Sequence, residues 1–244
     1  MRPLRIAIAI LLGWVLGMPA SGQAAEEQGR SSTMPSVGTQ SQKQASDTDM
    51  PVYKPPKRSI PKGRVGGGIR GGDAPAIYVL APDHVGLTKD EQPSLYWYLS
   101  KTTTLPLEFT LIDTRAIKPM LEKRLKLPTQ PGVQRISLKE FGAKLEPSVQ
   151  YKWFVTMVLG PESSSKDIVA GGTIERLPFV EWLMCAGNGD TVARYAECGL
   201  WYDAIMTISD LIEAAPDDRK LRKHRASLLQ QVGLWEVGRY DNPE

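Results

Sequence analysis

Cysteine and histidine are scarce, with two of each in 244 residues. Neither His84 nor His224 has a second histidine or cysteine at ligand spacing, and no H-E-x-x-H occurs, so a structural zinc site or zinc-dependent hydrolase has no sequence basis. No metal and no cofactor is expected. Charge of one sign is also lacking. The formal net charge is +3, and removing Arg2 and Arg5 with the N-terminal segment considered below leaves 3 minus 2, or +1. A nearly neutral chain has no global field for nucleic acid, so an electrostatic partner must be met by a local patch. Long apolar runs are missing as well. Ile6 to Met18 is 13 residues, well short of the roughly 20 a spanning helix needs, and an integral membrane protein is not expected.

What is present begins with a secretory pattern. Arg2 and Arg5 precede that apolar run, and small residues follow at Ala20, Gly22, Ala24 and Ala25. Residues 1–25 read as a signal peptide cleaved within 20–25, and the mature protein is expected to be periplasmic or secreted. Residues 26–62 are rich in Ser, Gln, Thr, Gly and Pro and poor in aliphatics. Such a stretch buries too little apolar surface to offset chain entropy and reads as a disordered tether, stiffened by Pro51, Pro55, Pro56 and Pro61.

Residues 63–177 read as a β-sandwich. Gly66, Gly68 and Gly71 match G-x-G-x-x-G literally, but Asp73-Ala74-Pro75 stands where a dinucleotide site needs a helix N-terminus. The glycines are a flexible lead into the first strand. Period-two runs follow at Ile77 to Leu80, Leu95 to Ser100, Leu107 to Ile112, Val133 to Leu138, Tyr151 to Leu159 and Ile168 to Ile174, the last with Gly171-Gly172 as a bulge. With turns and no helical periods between them, these strands predict an antiparallel immunoglobulin- or fibronectin-like sandwich with Trp97 and Trp153 in its core.

From Pro178 the period becomes 3.6, so the fold class is α+β with a small C-terminal bundle of three to four helices. Helices are expected over 178–186, from the N-cap Asp190 to Gly199, over 200–215 and from Asp217 to Gly233. Trp201, Ala204, Ile205, Ile208, Leu211, Ile212 and Ala215 share one stripe of the third. The cap covers 178–236 and 237–244 is a tail. Gly199, Trp201, Ala204, Ile208 and Pro216 stand at the offsets of half a tetratricopeptide repeat, which this segment resembles. A solenoid needs about three repeats, so a single hairpin is a cap and not an array.

Across Gly63 to Leu234 the chain also resembles a bacterial family known as domain of unknown function 928. The residues carrying the resemblance are Arg70-Gly71-Gly72, LTKDEQPSLYWYL at Leu87 to Leu99, EFTLID at Glu108 to Asp113, YKW at Tyr151 to Trp153 and YAECGLWYDA at Tyr195 to Ala204. The resemblance implies an exported bacterial protein with no established activity and supplies no catalytic residues.

Chemistry is thinly provided. SSSK at Ser163 to Lys166 matches S-x-x-K but lacks the partner motifs of acyl-serine enzymes and reads as a polar loop. Glu108, Asp113, Glu140 and Glu181 fall on different elements. Cys185 and Cys198 are a possible disulfide in an oxidising compartment. Consecutive antiparallel helices would place them toward opposite ends, which counts against bridging.

Two surfaces are candidates for binding. RKLRKHR sets Arg219, Lys220 and Lys223 away from the Leu221 and Leu228 stripe, facing an acidic protein partner or an anionic envelope polymer. Tyr96 and Tyr98, with Tyr78, share one strand face and offer a stacking platform for sugars. The expectation is a non-enzymatic, exported interaction or envelope-associated module. A glycan-binding module is the alternative, and a hydrolase a third reading without residue support.

Overall fold

Strand-forming residues occupy the first part of the fold and helix-forming ones the last, as the change of period requires. The structure is a computed structural model describing residues 50–57, 64–66, 75–160, 167–183 and 191–242. The signal segment, most of the tether, Gly68, Gly71, Ser163 to Lys166, Cys185 and Asp190 lie outside the described residues. Eight strands run in order as β1 (Ile77–Val79), β2 (Gly86–Thr88), β3 (Ser94–Leu99), β4 (Leu107–Asp113), β5 (Leu121–Arg124), β6 (Gly132–Ser137), β7 (Gln150–Met157) and β8 (Ile168–Arg176). Helices α1 (Phe179–Leu183), α2 (Thr191–Glu197), α3 (Trp201–Ala214), α4 (Arg219–Gln231) and α5 (Trp235–Asp241) follow.

The strands form a three-stranded sheet, β1-β3-β6, and a five-stranded sheet, β2-β8-β7-β4-β5. Every pairing between them is antiparallel except β2 with β8, which is parallel. That pair departs from the wholly antiparallel expectation because the three residues of β2 leave the first sheet's path and seat beside β8 through Gly86 opposite Ile174. Two short strands, β2 and β5, carry too few residues to show a period.

Gly171 and Gly172 do not form the expected bulge, since the β7–β8 register runs unbroken through Trp153 opposite Gly172 and Phe154 opposite Gly171. Their lack of a side chain serves packing instead. A Cβ at Gly172 would meet the Ala81 Cβ at 2.6 Å and Trp153 Nε1 at 3.1 Å, so only glycine lets these groups approach.

Trp97 and Trp153 are buried in one core together with Phe109, Leu111, Val155 and, from the helices, Trp201, Tyr202, Ile205 and Ile208. Residue 177 therefore marks a change of element type and not of core. Two aromatic polar handles tie α3 to the sheets: Trp201 Nε1 donates to the Leu80 carbonyl at 2.8 Å, and the Tyr202 hydroxyl accepts from Trp153 Nε1 at 2.9 Å while donating to the Thr173 carbonyl at 3.1 Å. Buried indole and phenol groups need such partners, and here each has one. The expected α3 stripe is buried at Trp201, Ala204, Ile205, Ile208 and Ile212, but Leu211 is exposed and Ala215 lies past the helix.

Helix ends follow backbone chemistry. Gly199 and Gly233 both have φ of 74°, the left-handed conformation that favours glycine after a helix. Asp218, one residue beyond the expected start, caps α4 by accepting from the Lys220 backbone N–H at 2.9 Å.

Two assigned boundaries change. Within the expected tether, Pro51 and Tyr53 are buried, and the Tyr53 ring meets Trp201 edge-on at 4.9 Å. One aromatic, held at its backbone N–H by Gln231 Oε1 at 2.8 Å and at its hydroxyl by His84 Nε2 at 2.9 Å, anchors a segment whose mean composition is polar. Residues 237–241 are not tail but the body of α5, with Val237 and Asp241 buried.

Candidate functional site

Helix α4 is built to hold one face inward and to load the other with cations. Leu228 and Leu229 are buried, whereas Arg219, Lys220 and Lys223 are exposed. Its first turn carries no acidic residue. Cations near a helix N-terminus oppose the macrodipole and cost about 0.3–1 kcal/mol each when exposed. The fold thus groups cations at a place where helix stability alone favours carboxylates, and Asp217 and Asp218, immediately before the helix, offset part of their charge.

Next to this turn lies a cleft of about 520 Å³, walled by Pro216, Asp217, Arg219 and Arg222 on one side and Tyr240 and Asn242 on the other. Arg222 is folded over the α3–α4 turn, with Nε and Nη2 donating to the Pro216 carbonyl at 3.2 and 3.0 Å. A smaller cavity of about 160 Å³ shares Arg222 and Tyr240 and reaches Arg135 and Arg225. Those last two arginines are already engaged. Arg135 Nη1 stands 3.4 Å from both Asp210 and Glu213, and Arg225 is clamped to Asp241 by two bonds of 2.6 Å with a third to Ser209 Oγ at 3.1 Å. The cations that line the larger cleft are Arg219 and Arg222, one helical turn apart, Arg222 with two of its donors already on the Pro216 carbonyl.

Sequence reasoning passed over Arg222, Arg225, Asp241 and Tyr240. Arg222 follows Arg219 at the i+3 spacing that shares a helix face, and that signal was legible. The Arg225–Asp241 clamp was not, because it joins α4 to a segment read as tail.

The tyrosine face is not a platform. Tyr96 and Tyr98 are buried, the first donating its hydroxyl to Asp210 Oδ1 at 3.2 Å and the second packing its ring 5.0 Å from Tyr240. Alternation does put both on one face of β3, but α3 and α5 cover that face. Burial pushes both hydroxyls up from their ordinary range, with Asp210 adding to the effect at Tyr96 and Tyr240 at Tyr98.

Two polar clusters lie elsewhere in the fold. Tyr53, His84 and Asp83 form a chain, the last step being 3.6 Å from His84 Nδ1 to Asp83 Oδ1. Burial raises the Tyr53 hydroxyl and lowers the His84 imidazole. Both rings are buried and only the Asp83 carboxylate reaches solvent, so the chain fastens the segment around Tyr53 to the fold. In the second cluster, Lys89 Nζ lies 5.6 and 5.5 Å from the Trp182 and Tyr195 ring centroids. It also stands 4.0 Å from Asp203 Oδ1, and the Lys89 backbone N–H donates to Asp203 Oδ2 at 3.1 Å. At 4.0 Å the ammonium makes an ion pair but no hydrogen bond, and Oδ1 has no hydrogen-bond partner. Desolvation pushes the Asp203 carboxyl up to about 7, with Lys89 pulling the other way.

Glu108 and Asp113 lie on one strand, β4, and not on separate elements as expected, while Glu140 falls between β6 and β7 and Glu181 on α1; Asp113 is bound by Arg115 at 2.6 Å. Among the described residues no group of three or more His, Cys, Asp or Glu side chains is placed to hold a metal ion. His224 is half-buried within α4. Cys198 is disulfide-bonded, and Cys185 lies outside the described residues. Among those residues no helix is long and apolar enough to cross a membrane.

Two sheets followed by helices, with a basic helix turn beside a cleft, define a mixed α+β protein. The family follows from the sequence match. Residues 65–240 match the family described as Domain of Unknown Function (DUF928), and the chain belongs to it. No curated protein matches the chain. The Lys89–Asp203 cluster joins two of the stretches that carried the resemblance, Leu87 to Leu99 and Tyr195 to Ala204.

Proposed function

We propose that this protein is an exported, non-catalytic interaction module that binds an anionic partner through the first turns of α4. The observation carrying this reading is the grouping of Arg219, Lys220, Arg222 and Lys223 at the end of a helix where they lower helix stability, beside a cleft of about 520 Å³. A cost retained at an exposed face points to binding. The secretory pattern of residues 1–25 supports a periplasmic or secreted location. In finer detail, the two sheets are read as an immunoglobulin- or fibronectin-like sandwich, α3 and α4 as a tetratricopeptide-like hairpin, and Cys198 as bridged to Cys185.

The partner is an acidic protein segment or an anionic envelope polymer. Immobilised mature protein should retain a defined species from an envelope extract, with retention falling as salt rises. The triple variant Arg219→Glu, Lys220→Glu, Lys223→Glu should lose it, and protease or polysaccharide-lyase treatment of the bound material tells the two partner classes apart. Retention by the triple variant, or turnover in an activity screen, refutes the reading.

A further inference from the structure

Another cleft lies where the chain crosses from one sheet to the other. Strand β5 is the edge of the five-stranded sheet and β6 the edge of the three-stranded one. The connection between them spans the gap without a further strand to close it. The result is a cavity of about 520 Å³, within the roughly 300–1,000 Å³ of small-molecule sites. Its floor comes from core-facing residues. Trp97 and Ile136 are buried, and Phe141 is half-buried with its ring stacked on Phe109 at 6.4 Å between centroids.

The lip has a different chemistry. Arg124, the last residue of β5, and Lys126 on the crossover are exposed, and among the described residues neither has an ion-pair partner. Arg135 also borders the cavity but is engaged by Asp210 and Glu213, and the single carboxylate in the lining is Glu140. Leu127 stands between these groups with 44% of its surface exposed.

We infer that this cleft binds a small amphipathic carboxylate, an acyl chain with an ionised head group. An apolar floor penalises a bare inorganic anion, whose charge would be desolvated without enough partners. Two cations at the lip favour a charged head over a neutral one through charge-assisted hydrogen bonds. Leu127 and the Trp97–Phe141 floor are the surface that an acyl body would remove from water. This site is separate from the α4 surface and does not depend on it.

The test uses the whole mature protein and the fluorescent polyene fatty acid cis-parinaric acid, with its methyl ester as the neutral counterpart. Binding should be saturable at one acid per chain. Both the ester and the variant Arg124→Glu with Lys126→Glu should bind about tenfold more weakly or worse. Leu127→Asp should weaken the acid as well. Arg124 stands opposite Glu108 on β4, so the charge-reversed variant is expected to melt somewhat lower, whereas Leu127→Asp, at an exposed side chain, should leave the circular-dichroism melting curve unchanged and keeps the test independent of that pair. The α4 triple variant should bind the acid as wild type does. Non-saturable uptake, equal affinity for acid and ester, an undiminished charge-reversed variant, or loss of binding in the α4 variant each overturns the assignment.

Discussion

Asp203 is the residue whose environment is most at odds with its charge. It is fully buried in the first turn of α3, one of its oxygens lacks a hydrogen-bond partner, and its pKa is raised from 3.8 to about 7. The folded state therefore holds the proton more tightly than the unfolded chain between those values. The stability this side chain contributes is fully present below about pH 4 and is lost as pH rises through about 7. Asp203→Asn keeps an acceptor for the Lys89 N–H and removes the titration. In urea titrations the variant should gain stability relative to wild type between pH 4.5 and pH 8; a constant difference would refute this account. Gly172 is a second sensitive position. Gly172→Ala drives a methyl into Ala81 and Trp153, and such overpacking costs about 1–3 kcal/mol, measured as a lowered urea midpoint at unchanged slope.

Three of the helices, α3, α4 and α5, are joined by one buried ion pair. Arg225 on α4 donates twice to Asp241 on α5 and once to Ser209 on α3, so a single guanidinium locates three elements and the walls of the α4 cleft. Removing one partner strands the other charge, and Arg225→Met should cost about 3–5 kcal/mol. Pairing it with Asp241→Leu should recover most of that loss, because matched apolar replacements of a buried pair are often neutral. A thermal melt of both variants decides the matter: a double variant as unstable as the single one would mean the pair is not what holds α5. At this scale the strands with clear alternation, β3, β4 and β7, and the two long helices were legible, since each carries enough residues to show a period. The three-residue β2, the four-residue β5 and α5 were not. Their positions come from partners distant in sequence.

Among the described residues, the sheets, the helices and the stretch around Tyr53 share one core. Tyr53 is the clearest case, an aromatic in a polar stretch that packs on Trp201 and bonds His84 and Gln231. Tyr53→Ala should destabilise the entire fold by about 3–5 kcal/mol, as truncation of a buried aromatic does. A loss under about 0.5 kcal/mol, the usual scale of surface substitutions, would return the segment to a tether. The same scale governs the binding surfaces. Helical spacing alone put Arg219, Lys220 and Lys223 outside, because a stripe of leucines leaves its opposite face to solvent. Strand alternation put Tyr96 and Tyr98 together but said nothing of what lies over them. What the sequence determined by itself was the class of elements, the tryptophans at the centre and the charged side of α4, all consequences of local periodicity. Tertiary structure decided that α3 and α5 cover the tyrosines, that Arg225 meets Asp241, and that the β5–β6 crossover leaves a cleft. Each of these depends on which segments pack together, and a one-dimensional pattern records a residue's own face without recording its neighbour.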